Sequence, residues 1–142
     1  MTSQNPFLLA GAVLSALASL AHIGVIFGGP SWYRFFGAGE RMARAAEARR
    51  WYPTLVTIAI AAVLAGFSAY ALAGAHLIEQ LPLTRPILLI ITLIYLGRGL
   101  VILPVAVFAP RRATRFLVWS SLTCLVYGTA YLAGLVSAWS SL

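Results

Sequence analysis

Apolar positions in this chain fall into four long blocks rather than into one-sided stripes. They run from Phe7 to Phe27, Thr54 to Ala75, Ile87 to Ala109 and Phe116 to Trp139, each 21 to 24 residues long. A helix on a soluble surface repeats apolar residues at i, i+3, i+4 and i+7 and keeps charge on its other face. These blocks are apolar all round and offer water no face to wet. At about 1.5 Å of rise per residue, each reaches or slightly exceeds the roughly 30 Å hydrocarbon core of a bilayer. Helix is the conformation open to such a segment there, because every N–H and C=O must be paired without water. The pattern predicts an all-α polytopic membrane protein, a four-transmembrane-helix bundle forming one domain over residues 1–142.

Punctuation fits those limits. Pro6, Pro53 and Pro86 stand at block starts, where a missing N–H costs least. Gly28, Gly29 and Pro30 close the first block, and Pro110 closes the third. Ala16-Leu17-Ala18 loosely resembles a signal-peptide cleavage site. No basic side chain precedes it and the apolar run continues past it, so the first block is expected to be a retained span.

Composition sharpens the picture. Of the 142 residues, 61% are hydrophobic and 9% charged. Soluble domains carry about a quarter charged residues. A soluble enzyme, a disordered chain and a disulfide-stapled secreted module are thereby excluded. Cys124, the single cysteine, lies inside an apolar block and is expected to act as a small apolar filler.

The net charge of +7 comes from ten arginines against Glu40, Glu47 and Glu79. Eight of those arginines lie in two connectors: Arg34, Arg41, Arg44, Arg49 and Arg50 in the first, Arg111, Arg112 and Arg115 in the third. The second connector holds Arg85 alone. The positive-inside rule places the first and third connectors in the cytoplasm and both termini outside. Trp32, Trp51 and Trp119 would form the inner aromatic belt and Trp139 the outer one. No basic stripe follows a phosphate backbone, so nucleic acid is not an expected partner, whereas membrane lipids are. The Ala- and Arg-rich, Lys-free composition suits a GC-rich bacterial genome, and hence a bacterial inner membrane.

Helices in lipid associate by close backbone contact. Small residues mark candidate seams: Gly11, Ser15 and Ser19 leading to His22; Thr57, Ala61, Ala65, Ala69 and Ala73; and Ser120, Cys124 and Gly128.

Arg98 is the informative position. An arginine at mid-span costs about 2.5–3.5 kcal/mol on insertion scales. No carboxylate lies in any block to pair with it. Gly97 and Gly99 flank it, and Pro104 deprives the Leu100 carbonyl of its helical donor. Counting from the block ends sets Arg98 and Tyr127 at similar depth, which suggests a polar vein of His22, Thr123, Tyr127, Arg98, Tyr95 and Tyr131. There Arg98 would either knit helices together through tyrosine hydroxyls and carbonyls or meet an anion or polar headgroup.

The first connector is the second candidate. Residues 38–52 read as an interfacial amphipathic helix with Glu40, Arg44, Glu47 and Trp51 on one face. Folded under the bundle, it would present Glu40 or Glu47 to His22 or Arg98.

Gly37-Ala-Gly39 lacks the third glycine of a dinucleotide loop and follows no strand. No P-loop, His-Glu-x-x-His or Gly-x-Ser-x-Gly occurs, and His22 and His76 sit at opposite ends, unsuited to a shared haem or metal. No catalytic residue, metal or cofactor is expected. In size, span count and a Gly- and Arg-containing first connector, the chain resembles small four-span bacterial proteins of the DoxX-like type; the resemblance brings no catalytic motif onto numbered residues.

The leading expectation is a non-enzymatic bundle that binds an amphiphile, an anionic headgroup or a partner helix around Arg98. A membrane-embedded enzyme acting on a lipid or quinone, with His22 and Glu40 or Glu47 as acid and base, is the alternative. A third is a homo-oligomeric pore or transporter subunit, in which central arginines favour anions.

Overall fold

The computed structural model describes residues 4–142. They are all-helical, with no strand among them. The elements are α1 (Pro6–Phe35), α2 (Glu40–Glu47), α3 (Trp51–Gly74), α4 (Thr84–Leu100), α5 (Ile102–Phe108), a 3-10 turn (Pro110–Arg112) and α6 (Arg115–Ser137). Four helical stretches are long and apolar enough to cross a membrane: Pro6–Phe35, Trp51–Gly74, Thr84–Phe108 and Arg115–Ser137. At most 28% of the most apolar window of any of them is buried. The chain divides into two compact units, one of residues 16–66, the other of the described residues up to Ser15 together with Phe67–Leu142.

In the unit of residues 16–66, the Gly-Gly-Pro sequence breaks the helix without ending it. Gly29 adopts φ 66° and ψ −154°, and one further helical turn resumes through Pro30 to Phe35. The Trp32 ring folds back over Gly28, where any Cβ would overlap it. Tyr33, 2% exposed, then packs with Val25 against Ala43 of α2. The Thr57 hydroxyl donates to the Pro53 carbonyl at 2.7 Å, so its lone pair is free for the Tyr33 hydroxyl at 3.1 Å. Ser19 Oγ donates to the Ala61 carbonyl at 2.8 Å.

The expected connector helix is shorter than residues 38–52. It covers Glu40–Glu47, and Arg49 adopts φ 52°, which a helix does not allow. Trp51 therefore opens α3 and does not share the α2 face with Glu40, Arg44 and Glu47.

In the other unit, α4 and α6 run antiparallel in close contact. Gly99 meets Leu125, and Gly128 meets Leu96. The α4 face turned inward carries Thr84, Leu88, Ile91, Thr92, Tyr95 and Gly99. Gly11 leaves room for the Tyr131 ring, and Gly134 for Leu8. The third block is not one unbroken helix: it breaks after Leu100, one turn before Pro104, whose missing N–H leaves the Leu100 carbonyl without its donor. The Thr114 side chain caps α6 by accepting from the Leu117 N–H at 3.2 Å. Asn5 accepts from the N–H groups of Phe7 and Leu8 at 3.1 Å and donates to the Gly134 carbonyl at 2.9 Å. At the same end the Arg85 guanidinium lies 3.7 Å over the Trp139 ring.

The seam stripes hold in part. Ser15, Ser19, Thr57, Ala61 and Ala73 are buried, but Ala65 is exposed. A step of four residues advances about 400° around a helix of 3.6 residues per turn, so a strict i+4 ladder drifts off its face by about 40° per rung. Ser68, Ala71 and Ala75 are buried instead.

Candidate functional site

The polar cluster around Arg98 is built on the α4–α6 contact. With Gly99 against Leu125 and Leu96 against Gly128, the Arg98 backbone lies level with the α6 segment just before Tyr127. Its guanidinium does not stay at that level. Nη2 donates to Ser120 Oγ at 3.0 Å and Nη1 to Ser121 Oγ at 3.3 Å. Those serines lie five or six residues nearer the start of α6, a displacement of about 8 Å along the axis. Helical side chains tilt toward their own N-terminus; Arg98 reaches the other way, toward the end that carries Arg111, Arg112 and Arg115.

Two neutral hydroxyls are modest partners for a guanidinium with five donors. Arg98 is exposed and forms no ion pair among the described residues. Ser120 Oγ itself donates to the Leu117 carbonyl at 3.2 Å, which leaves its lone pairs for Arg98. The cluster is an open fork of N–H groups backed by two hydroxyls.

The tyrosines form a separate group. The Tyr95 ring packs on Tyr127, Tyr131 and Phe67 with centroids 5.3, 5.5 and 5.7 Å away. Ser15 Oγ lies 2.9 Å from the Tyr95 hydroxyl and 2.8 Å from that of Tyr131, and the Tyr131 hydroxyl donates to the Phe67 carbonyl at 3.0 Å. A carbonyl only accepts, which fixes every proton: Tyr95 donates to Ser15, Ser15 to Tyr131, and Tyr131 to Phe67. Tyr95 and Tyr131 are 6% and 0% exposed and fully satisfied. The expected vein is thus two clusters, with Arg98 bonded to serines and to no tyrosine. Thr123 stays out of both, because its hydroxyl donates back to the Trp119 carbonyl.

His22 and the connector carboxylates lie in the unit of residues 16–66. His22 Nδ1 is paired with the Ala18 carbonyl at 2.8 Å on its own helix. Glu40 accepts from Arg34 at 2.9 and 3.1 Å and from Arg44 at 3.1 Å. Glu47 accepts from Arg34 at 2.7 Å. Neither carboxylate forms an ion pair with His22. The Arg34 hydrogen bonds, then that of Arg44, hold the Glu40 carboxyl down at about 2.

The structural importance of Ser120 and Ser121 escaped the sequence. Ser120 reads there as a seam residue, and the available signal was the one pair of adjacent hydroxyls in the fourth block. Ser15 reads as a small packing residue, although it is the pivot of the tyrosine chain. Among the described residues, no three His, Cys, Asp or Glu side chains gather as a metal site would require. No protein-family model, curated protein or solved structure matches the chain.

Proposed function

We propose that the four apolar helices lie in a bacterial inner membrane and that the protein is a binding bundle, holding the anionic group of an amphiphile at Arg98, Ser120 and Ser121. Several features support insertion. Large apolar side chains such as Phe27, Leu20, Val63, Leu93 and Val126 face outward along all four helices. Exposure of that extent in water would drive aggregation, whereas lipid solvates it. The eight-to-one arginine asymmetry supports an orientation with the first and third connectors in the cytoplasm and both termini outside. In that frame α2 lies in the cytoplasmic interface with Ala43 turned inward and its arginines turned outward.

The observation that carries the ligand assignment is the Arg98 fork. A guanidinium in hydrocarbon needs an anion or many acceptors. Here it has two hydroxyls, no carboxylate, and a reach directed toward the headgroup level of the arginine-rich side. A phosphate or carboxylate head, anchored by its tail in lipid, would complete the set with bidentate N–H bonds. The carboxylates of the connector are taken up by Arg34 and Arg44, which favours binding over acid–base chemistry.

Native mass spectrometry of protein extracted in mild detergent tests this. Wild type is expected to carry an anionic amphiphile that Arg98→Leu lacks and Arg98→Lys retains in part. An unchanged set and number of bound anionic amphiphiles on wild type and Arg98→Leu would overturn it.

A further inference from the structure

The first connector carries a second set of features that the Arg98 cluster does not use. Arg41 and Arg44 of α2, Arg50 just before α3 and Tyr52 in its first turn line an open cleft of about 560 Å³. Glu40 engages Arg44 there, but Arg41 and Arg50 take part in no ion pair among the described residues. Two guanidiniums that share one cleft repel each other unless an anion lies between them.

A second cleft, of about 450 Å³, adjoins it in composition through Arg50. Its walls include Ile26, Pro30, Leu55, Ile58 and Trp51, with Arg49 and Arg50 among the lining residues. One arginine thus belongs to both a cationic chamber and an apolar groove. Trp51 of the groove wall is 73% exposed, and Phe27 and Phe35 of the same unit are 86% and 78% exposed. Aromatic side chains with that exposure concentrate where headgroups meet acyl chains.

We infer that this pair of clefts is a binding site for an anionic phospholipid, its phosphodiester seated by Arg41 and Arg50 and one acyl chain lying along Ile26, Leu55 and Ile58. Charge complementarity sets the head, and the apolar groove distinguishes a lipid from free phosphate. The site shares with the proposed function only the placement of the helices in a membrane; it uses none of Arg98, Ser120 or Ser121. The kink belongs to this groove. Gly29 and Pro30, at the kink, and Tyr33 just beyond it are themselves lining residues of the groove.

The test is native mass spectrometry of the full chain in mild detergent, titrated with palmitoyl-oleoyl phosphatidylglycerol, with the phosphatidylcholine of the same chains, or with sodium phosphate. Phosphatidylglycerol is expected to bind at least about tenfold more tightly than phosphatidylcholine. Arg41→Ala with Arg50→Ala is expected to weaken it about 30-fold, about fivefold per arginine. Ile58→Trp, which fills the groove and leaves the arginines in place, is expected to weaken it as well. Arg98→Leu is expected to retain this adduct. Equal binding of the two lipids, an unchanged double variant, displacement of the lipid by inorganic phosphate, or loss of the adduct in Arg98→Leu alone would each overturn the inference. Failure of the Arg98 assignment leaves these outcomes unaffected.

Discussion

Gly99 of α4 lies directly against the backbone of Leu125 in α6. A Cβ at Gly99 would sit 2.6 Å from Leu125 Cγ and 2.9 Å from its backbone nitrogen. The relationship is reciprocal one turn away, where a Cβ at Gly128 would sit 2.6 Å from a Leu96 methyl and 3.0 Å from the Leu96 nitrogen. Each helix inserts a leucine where the other has no side chain. This double notch brings Arg98 within reach of Ser120 and Ser121, because a wider separation would carry its guanidinium off the α6 surface.

Filling either notch forces the helices apart. Gly99→Ala and Gly128→Ala are each expected to destabilise the protein by about 1–3 kcal/mol, the usual cost of overpacking. Gly97→Ala serves as the control. No heavy atom lies within 4 Å of its would-be Cβ, so it should be neutral or gain up to about 1 kcal/mol from helix propensity. Reversible unfolding in mixed micelles measures all three. Equal loss from Gly97→Ala would mean that the notch does not set the cost, since Ala is the better helix former and the substitution meets nothing there.

The ordered hydroxyl chain makes an asymmetric prediction. Ser15→Ala leaves the Tyr95 hydroxyl, 6% exposed, without its acceptor, while Tyr131 keeps the Phe67 carbonyl. Interhelical hydrogen bonds in lipid are worth about 0.6 kcal/mol on average and at most about 1.7 kcal/mol. Ser15→Ala is expected toward the upper end of that range, because it orphans a buried donor. Tyr95→Phe removes the terminal donor and orphans nothing, so it should cost less. The reverse order in the same unfolding assay would show that the protons run the other way.

Much of this was legible in the sequence, and the failures have physical reasons. Block length and hydropathy located four long helices, since nothing but helix pairs the backbone of so apolar a run. Pro104 marked the Leu100 carbonyl as lacking its donor, and the helix breaks just after it; Gly128 fell on its seam. Arg98 stood out because it is costly, but its partners did not. Side-chain direction over one and a half turns follows from rotamers and neighbouring helices, not from spacing, so Tyr127 at the same level was the expected partner and Ser120 the actual one. Gly-Gly-Pro looked like a terminator; a glycine at positive φ let the chain turn and resume. Residues 38–52 kept their helical pattern across Arg49, whose left-handed backbone no periodicity reveals. The Ala65 rung failed because a four-residue repeat outruns the helical turn.

The proposed orientation rests on the arginines and should change with them. Replacing Arg111, Arg112 and Arg115 with Ser removes three of the eight charges on the proposed cytoplasmic side. Reporter fusions at the C-terminus should then show a mixed population of orientations in place of a single external one. Substituting Arg85 in the second connector is expected to leave the orientation unchanged. Its contact with the Trp139 ring is worth about 0.5–1 kcal/mol at an exposed site, so that variant should instead lose a small amount of stability. A C-terminal reporter active in the cytoplasm of the unaltered protein would refute the assignment.

Acid should release α2 from the turn that precedes it. Arg34 bonds both Glu40 and Glu47, and Arg44 bonds Glu40 from one turn further along α2. These hydrogen bonds hold Glu40 at about 2, below the 4.5 of an unperturbed carboxyl. The folded chain therefore binds fewer protons than the unfolded chain throughout that interval. The stability that Glu40 contributes is complete above about 4.5 and drains away as pH falls through about 2. All three partners are exposed, so the contribution is small and screened by salt. Glu40→Gln should melt below wild type near neutral pH at low ionic strength, and the gap should close both toward pH 2 and in about 1 M salt, where the Debye length is about 3 Å. A gap that persists unchanged at low pH would mean that Glu40 acts through its shape and not through its charge.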